Sequence, residues 1–178
     1  LGLDAMLQTL LALALEKGVI VDAIVASNET QAERLWRLRG GIVEAQRFEG
    51  GSIKHDISVK VSLVPEFIHR AVDAVKDRLP GIRPCPFGHV GDGNIHFNLS
   101  QPLQMDTQEY LSLWTEMNQI VFDIVADLGG SFSAEHGIGM LKLEEMQRYK
   151  DPVSVNLMQS LKKAIDPDGL FNPGKVLP

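Results

Sequence analysis

The chain has 178 residues, enough for one domain with a real core. A net charge of −6 and a pI near 5.3, with no Lys/Arg cluster, argue against a nucleic-acid surface. Hydrophobic content of 44% and charged content of 22% are ordinary for a soluble globular protein, and one cysteine, Cys85, excludes an internal disulfide and suits a reducing compartment.

Leu3 to Leu15 is rich in Leu and Ala but too short to span a bilayer, and no basic residues precede it as they would in a signal peptide. It reads as a core helix ending at Gly18, a natural residue to follow a helix. Val19 to Ala26 is a β-branched run, expected as a strand. Asn28 is an expected cap for a helix from Glu29 to about Phe48, with a period running through Ala32, Leu35, Trp36, Arg39, Val43 and Arg47. Gly50-Gly51 breaks the chain, and Ile53 to Val61 alternates as a strand. Pro65 opens a helix to about Leu79, with Phe67, Ile68, Ala71, Val72 and Val75 on its inner face. Two strands flank Asp92-Gly93, and Thr107 to Leu128 reads as one long amphipathic helix stopped by Gly129-Gly130. A short strand leads to Glu135, and helices from Leu141 and Val153 bring the chain to an irregular tail. The hairpin demands an antiparallel pair. That favours an α+β fold, a ferredoxin-like antiparallel β-sheet covered by helices, over a doubly wound parallel sheet.

The run Gly88-His89-Val90-Gly91-Asp92-Gly93-Asn94-Ile95-His96-Phe97-Asn98 carries the most chemistry. Asp92-Gly93 is a strong signal for a two-residue hairpin loop. Such a loop sets His89 directly opposite His96, with side chains on one face and Cβ atoms about 5 Å apart. Two adjacent imidazoles are half of a divalent-metal site. Asn98 returns to the same face, because strand side chains alternate. A second run, Ser133-Ala134-Glu135-His136-Gly137-Ile138-Gly139, puts a carboxylate beside an imidazole among glycines. His89, His96 and Glu135 then make a two-His, one-carboxylate set that suits a catalytic metal, and His136 is left free to act as a base.

These motifs, followed by the ending Asp166-Pro167-Asp168-Gly169-Leu170-Phe171-Asn172-Pro173-Gly174-Lys175-Val176-Leu177-Pro178, occur in the order of a known family. The chain resembles the C-terminal substrate domain of the FAD-linked oxidases, in the branch of D-lactate dehydrogenase, the glycolate oxidase flavin subunit and D-2-hydroxyglutarate dehydrogenase. Leu35-Trp36-Arg37-Leu38-Arg39 and Lys54-His55-Asp56 extend the resemblance over nearly the whole chain. It implies oxidation of a D-2-hydroxy acid to a 2-oxo acid, with hydride passing to flavin N5. It implies a ferredoxin-like sheet, a divalent metal (Zn2+, or Mn2+ or Fe2+) on His89, His96 and Glu135, and His136 as base. Arg39 and Lys54 are implied on the substrate carboxylate, Asn98 on the substrate or behind a ligand, and Asn172 at the isoalloxazine edge. The FAD is expected to be held mainly by an upstream FAD-binding domain, since the chain starts at Leu1 without Met and shows no phosphate-binding glycine loop. The expected partners are that domain, the small 2-hydroxy acid and an electron acceptor of unspecified kind, with a homodimer left open and no nucleic acid. The expected compartment is the cytoplasm, or the mitochondrion in a eukaryote.

Two other readings compete. A non-catalytic α+β module could carry a structural metal, but such sites are usually closed by four protein ligands including Cys, and Cys85 lies outside both runs. A metal-dependent hydrolase could use similar ligands, yet there is no second carboxylate near the His pair and no HExxH helix.

Overall fold

The structure is a computed structural model in which residues 2–177 are described. By its backbone contacts the chain divides into two units, Leu1–Ala45 and Gln46–Pro178. The first holds two helices, α1 (Leu3–Glu16) and α2 (Glu29–Ala45). Helix α1 ends as its sequence predicts: Gly18 takes a left-handed φ of 65°, and the Val19 N–H returns to Ala14 O at 2.9 Å. Helix α2 also starts as expected, with Asn28 Oδ1 accepting the Gln31 N–H at 3.0 Å.

Two expectations for this unit are corrected. Val19–Ala26 is not a strand, because no ladder among the described residues pairs with it, and Val21 is 99% exposed. β-branched residues favour an extended backbone, but a strand also needs a partner for its N–H and C=O groups. Nor is α1 a core helix, since none of its residues is buried.

The second unit is an antiparallel sheet with helices packed on one face. Its strands are β1 (Ser52–Ser58), β2 (Arg83–His89) and β3 (Asn94–Ser100), in spatial order β1-β3-β2. Helix α3 (Val64–Arg78) joins β1 to β2, and α4 (Thr107–Ser112) and α5 (Trp114–Asp127) follow β3. The α+β class is therefore the one expected. Order and direction follow a ferredoxin-like sheet as far as the second packed helix. At the place of a fourth strand, the described residues show a single antiparallel bridge, Ser58 to Ser131. The short strand expected before Glu135 is reduced to that bridge. The helix expected over Thr107–Leu128 is broken at Leu113 into α4 and α5. Helices α6 (Leu143–Tyr149) and α7 (Pro152–Ile165) end the regular structure.

Alternation along the strands separates two faces. Ile53, His55 and Ile57 of β1 and Ile95, Phe97 and Leu99 of β3 point into the core. They meet Val64, Phe67, Ala71 and Val75 of α3 and Met117, Val121, Phe122 and Val125 of α5. The helical spacing of those residues is what lets each helix cover the sheet. Phe67 packs edge-on against Phe97 at 5.4 Å between ring centres. Lys54 and Asp56 of β1, Phe87 and His89 of β2, and Asn94, His96 and Asn98 of β3 are among the residues that share the opposite face.

His55 is the polar exception in the core. It is 2% exposed and lies edge-on to Phe122 at 5.3 Å. Its Nδ1–H donates to Phe97 O at 2.7 Å, a carbonyl that can only accept. Burial drives its pKa from 6.5 down to about 4, against the opposing pull of that hydrogen bond. The unfolded chain therefore binds a proton that the folded chain refuses between pH 6.5 and about 4. Stability contributed here is present above pH 6.5 and is lost as pH falls through this window, by about 3 kcal/mol in total. His55→Asn keeps a donor for Phe97 O but cannot titrate. Urea unfolding across this range should show wild type losing stability relative to His55→Asn as pH falls.

Candidate active site

The polar face acquires its chemistry from three strands and one loop. The hairpin between β2 and β3 differs from its expected form. Its loop is Val90–Gly93, closed by the Asp92 and Gly93 N–H groups on His89 O at 3.1 and 3.0 Å. A two-residue type I′ loop requires positive φ at both central residues, and here only Gly93 of that pair has it, at 81°. Asp92 instead caps the turn, its Oδ1 accepting the Asn94 N–H at 3.0 Å. His89 consequently pairs with Asn94, and His96 with Phe87. The shift from the expected His89–His96 pairing is by two residues, and the side-chain period is also two, so both imidazoles stay on one face. Their rings lie 6.3 Å apart, edge to face, as diagonal rather than direct neighbours.

Glu135 completes the group. Its Oε1 lies 3.6 Å from His89 Nδ1, and its Oε2 lies 3.4 Å from His96 Nε2. His136 sits alongside, its ring 6.4 Å from that of His96. Both residues belong to a loop without regular structure, so their place depends on what holds that loop. The holding group is Asp56, which the sequence offers only as part of a motif. Asp56 is 3% exposed on the polar face. Its Oδ2 accepts the Glu135 N–H at 2.8 Å and the His136 N–H at 2.7 Å, and its Oδ1 accepts the Asn94 amide at 2.9 Å. The Ala134 N–H adds a bond to Asp56 O at 3.1 Å. Burial alone would raise the Asp56 pKa. The backbone donors of His136 and Glu135, the Asn94 amide and the charge of His136 outweigh it and hold the carboxyl below its ordinary range. Its Oδ2 also lies 3.6 Å from His136 Nδ1.

The other expected residues fall in different places. Lys54 is exposed on β1, opposite Asn98 in register and two residues from Asp56. Asn98 is buried on the same face, its amide donating to Gln46 Oε1 at 2.6 Å. Arg39 lies on α2, in the first unit. Asn172 lies in the tail with φ of 46°, a left-handed position that Asn tolerates better than most residues. The tail returns to the Glu135 loop, where the Val176 N–H donates to Gly139 O at 2.8 Å. Cys85 is half-buried, and burial pushes its thiol pKa up, in keeping with a small apolar role.

An α+β unit whose polar face gathers His89, His96, Glu135, His136 and a buried Asp56 has the ingredients of a metal-assisted acid–base site. The chain belongs to the family described as FAD linked oxidases, C-terminal domain, which it matches over residues 3–176. It is 37% identical over 161 residues to D-2-hydroxyglutarate dehydrogenase of Stutzerimonas stutzeri (strain A1501), covering 90% of this chain and 34% of that protein. The mitochondrial D-2-hydroxyglutarate dehydrogenase of Arabidopsis thaliana is 38% identical over 178 residues, covering 97% of this chain and 29% of that protein. For the mitochondrial enzyme of that name from Rattus norvegicus the identity is 36% over 174 residues, covering 92% and 29%. The chain thus spans about a third of the length of these curated relatives. No helix among the described residues is long and apolar enough to cross a membrane.

The hairpin glycines separate by environment. A Cβ on Gly93 would lie 2.0 Å from Val59 O, and its φ is 81°. Gly91 faces open space. Gly93→Ala should therefore cost more than about 2 kcal/mol, from left-handed strain plus the clash. Gly91→Ala should stay within about 0.5 kcal/mol of wild type. Urea titration of the two variants checks this.

Proposed function

We propose that this chain is the substrate- and metal-binding part of an FAD-dependent dehydrogenase that oxidises a D-2-hydroxy acid to the 2-oxo acid. The names of the relatives favour 2-hydroxyglutarate over lactate or glycolate as the substrate. An upstream FAD-binding domain supplies the flavin, which serves as the two-electron acceptor.

The observation that carries the metal part is the position of the Glu135 carboxylate between two imidazoles, at 3.6 and 3.4 Å. These gaps exceed a hydrogen bond. Neighbouring ligands on a tetrahedral ion with bonds of about 2.0–2.1 Å stand about 3.3 Å apart, close to each of these two gaps, which reach different oxygens of the carboxylate. Asp56, His96 and Glu135 also offer atoms within 4.8 Å of one another. Asp56 accepts three N–H groups and is assigned to anchoring the loop, with His89, whose Nδ1 faces the other Glu135 oxygen, proposed as the third ligand. A divalent ion held here would lower the pKa of a coordinated hydroxyl, as it does for water. Zn2+, Mn2+ and Fe2+ all accept such a set.

The residues of the chain do the rest. His136 takes the hydroxyl proton as the C2 hydride leaves and the C2–O bond becomes a carbonyl. Its ring is two-thirds exposed, so substrate can reach it. The Asp56 carboxylate beside Nδ1 orients the ring and faces the imidazolium that forms. Lys54, exposed on the same face, binds a substrate carboxylate, and Arg39 does so on the strength of the family pattern, its planar fork suiting bidentate contact. Asn98, on the same face and held by Gln46, is proposed to hydrogen-bond the substrate or support a ligand. Asn172 is proposed at the flavin edge, supported by the return of the tail to Gly139.

The test uses the full-length polypeptide. A His89→Ala/His96→Ala variant should lose its divalent ion on elemental analysis, and Glu135→Ala should lose ion and turnover together. His136→Ala should keep the ion while kcat drops by about 10²–10⁴. Unchanged metal content in the double variant would overturn the ligand assignment. Near-normal kcat in His136→Ala across pH would remove the base. Full metal retention with no turnover on any 2-hydroxy acid would favour the structural-metal module.

A further inference from the structure

The loop carrying Glu135 and His136 is gripped from the sheet by Asp56, but a second group holds it from the other end. Lys142 precedes α6 and is partly buried. Its backbone N–H donates to Ile138 O at 3.3 Å. Its Nζ turns back across the loop and donates to Phe132 O at 3.2 Å and to Ser133 Oγ at 2.9 Å. Having accepted from the ammonium, the Ser133 hydroxyl donates to His136 O at 2.5 Å. The Ser131 hydroxyl in turn donates to Ser133 O at 2.9 Å. Residues 132–142 are thus a ring of chain closed by one ammonium, with the functional pair in its middle.

Lysine is a costly residue to use for packing alone. Burial pulls its ammonium below the ordinary lysine range, and the charges of Asp56 and Glu145 act in the opposite direction. Its hydrogen-bond acceptors are two neutral oxygens of the loop itself, which an alkyl side chain could not hold. The backbone of His136 is consequently fixed from both sides, its N–H by Asp56 and its carbonyl by the Lys142–Ser133 relay. Fixing both sides of one residue limits the angles at which the Glu135 carboxylate and the His136 ring leave the loop.

We propose that Lys142 is a positioning residue for Glu135 and His136, acting through Ser133. It sets the carboxylate between His89 and His96. This inference rests on the metal reading above for its effect on affinity, though not for its effect on the loop.

The experiment uses the full-length polypeptide and the variants Lys142→Met, Lys142→Arg and Ser133→Ala. One readout is Zn2+ affinity by chelator competition. The other is amide hydrogen exchange over residues 132–139. Lys142→Met should bind Zn2+ about tenfold more weakly or worse, the usual size of an outer-sphere effect. Exchange should quicken over residues 132–139 while α3 and α5 keep their protection. Lys142→Arg should recover part of both, and Ser133→Ala should move both in the same direction by less. Wild-type affinity and wild-type protection in Lys142→Met overturn the proposal. If Lys142→Met does not fold, the same result in Ser133→Ala overturns it. If Glu135→Ala also keeps its Zn2+, the metal reading has failed, and the exchange data alone decide the role of Lys142.

Discussion

Asp56 places a buried carboxylate on the polar face of the sheet, where an unpartnered charge would be costly, and three N–H groups are aimed at it. Hydrogen bonds to a charged group are each worth about 1.5–3 kcal/mol, against a desolvation cost of similar order. Two of the three come from the backbone of Glu135 and His136. The energy that keeps Asp56 ionised is therefore the energy that holds the loop on the sheet, and the rest of the site depends on it. Removing the carboxylate would release the loop and leave the backbone N–H groups of Glu135 and His136, and the Asn94 amide, without this acceptor.

The sheet supplies the rest of the frame. Its apolar face is packed by α3 and α5, and that packing fixes the pleat that sends Asp56, Asn94 and His96 to the other side. The face is insensitive to a two-residue change in hairpin register, because side chains repeat every two residues. This explains why the imidazoles converge although the loop is twice the expected length. A shift of one residue would have sent His89 into the core.

Much of the second unit is legible in the sequence. The alternation of Ile53, His55 and Ile57 and the helical spacing of Phe67, Ala71 and Val75 are local patterns, and the structure keeps them. The hairpin, and with it the two imidazoles on one face, is legible for the same reason. What is not legible depends on contacts distant in sequence. The bonds from Glu135 and His136 to Asp56 span 79 and 80 positions, and no local pattern announces them. Lys142 looks like a solvated charge ahead of a helix until the fold turns it back on Phe132 and Ser133. Val19–Ala26 misleads because composition reports a preference for extended backbone but not the presence of a pairing partner. The roles of Arg39 and Asn172 rest on motif order, which no periodicity supplies.

The proposed metal centre joins His89 and His96 of β2 and β3 to Glu135 of the Asp56-anchored loop. X-ray absorption at the metal edge of the Zn2+-loaded full-length polypeptide tests it most directly. Two imidazole nitrogens are expected at about 2.0–2.1 Å, with carboxylate oxygen at a similar distance and no sulfur. A first shell without imidazole scattering, or one containing sulfur, would contradict it.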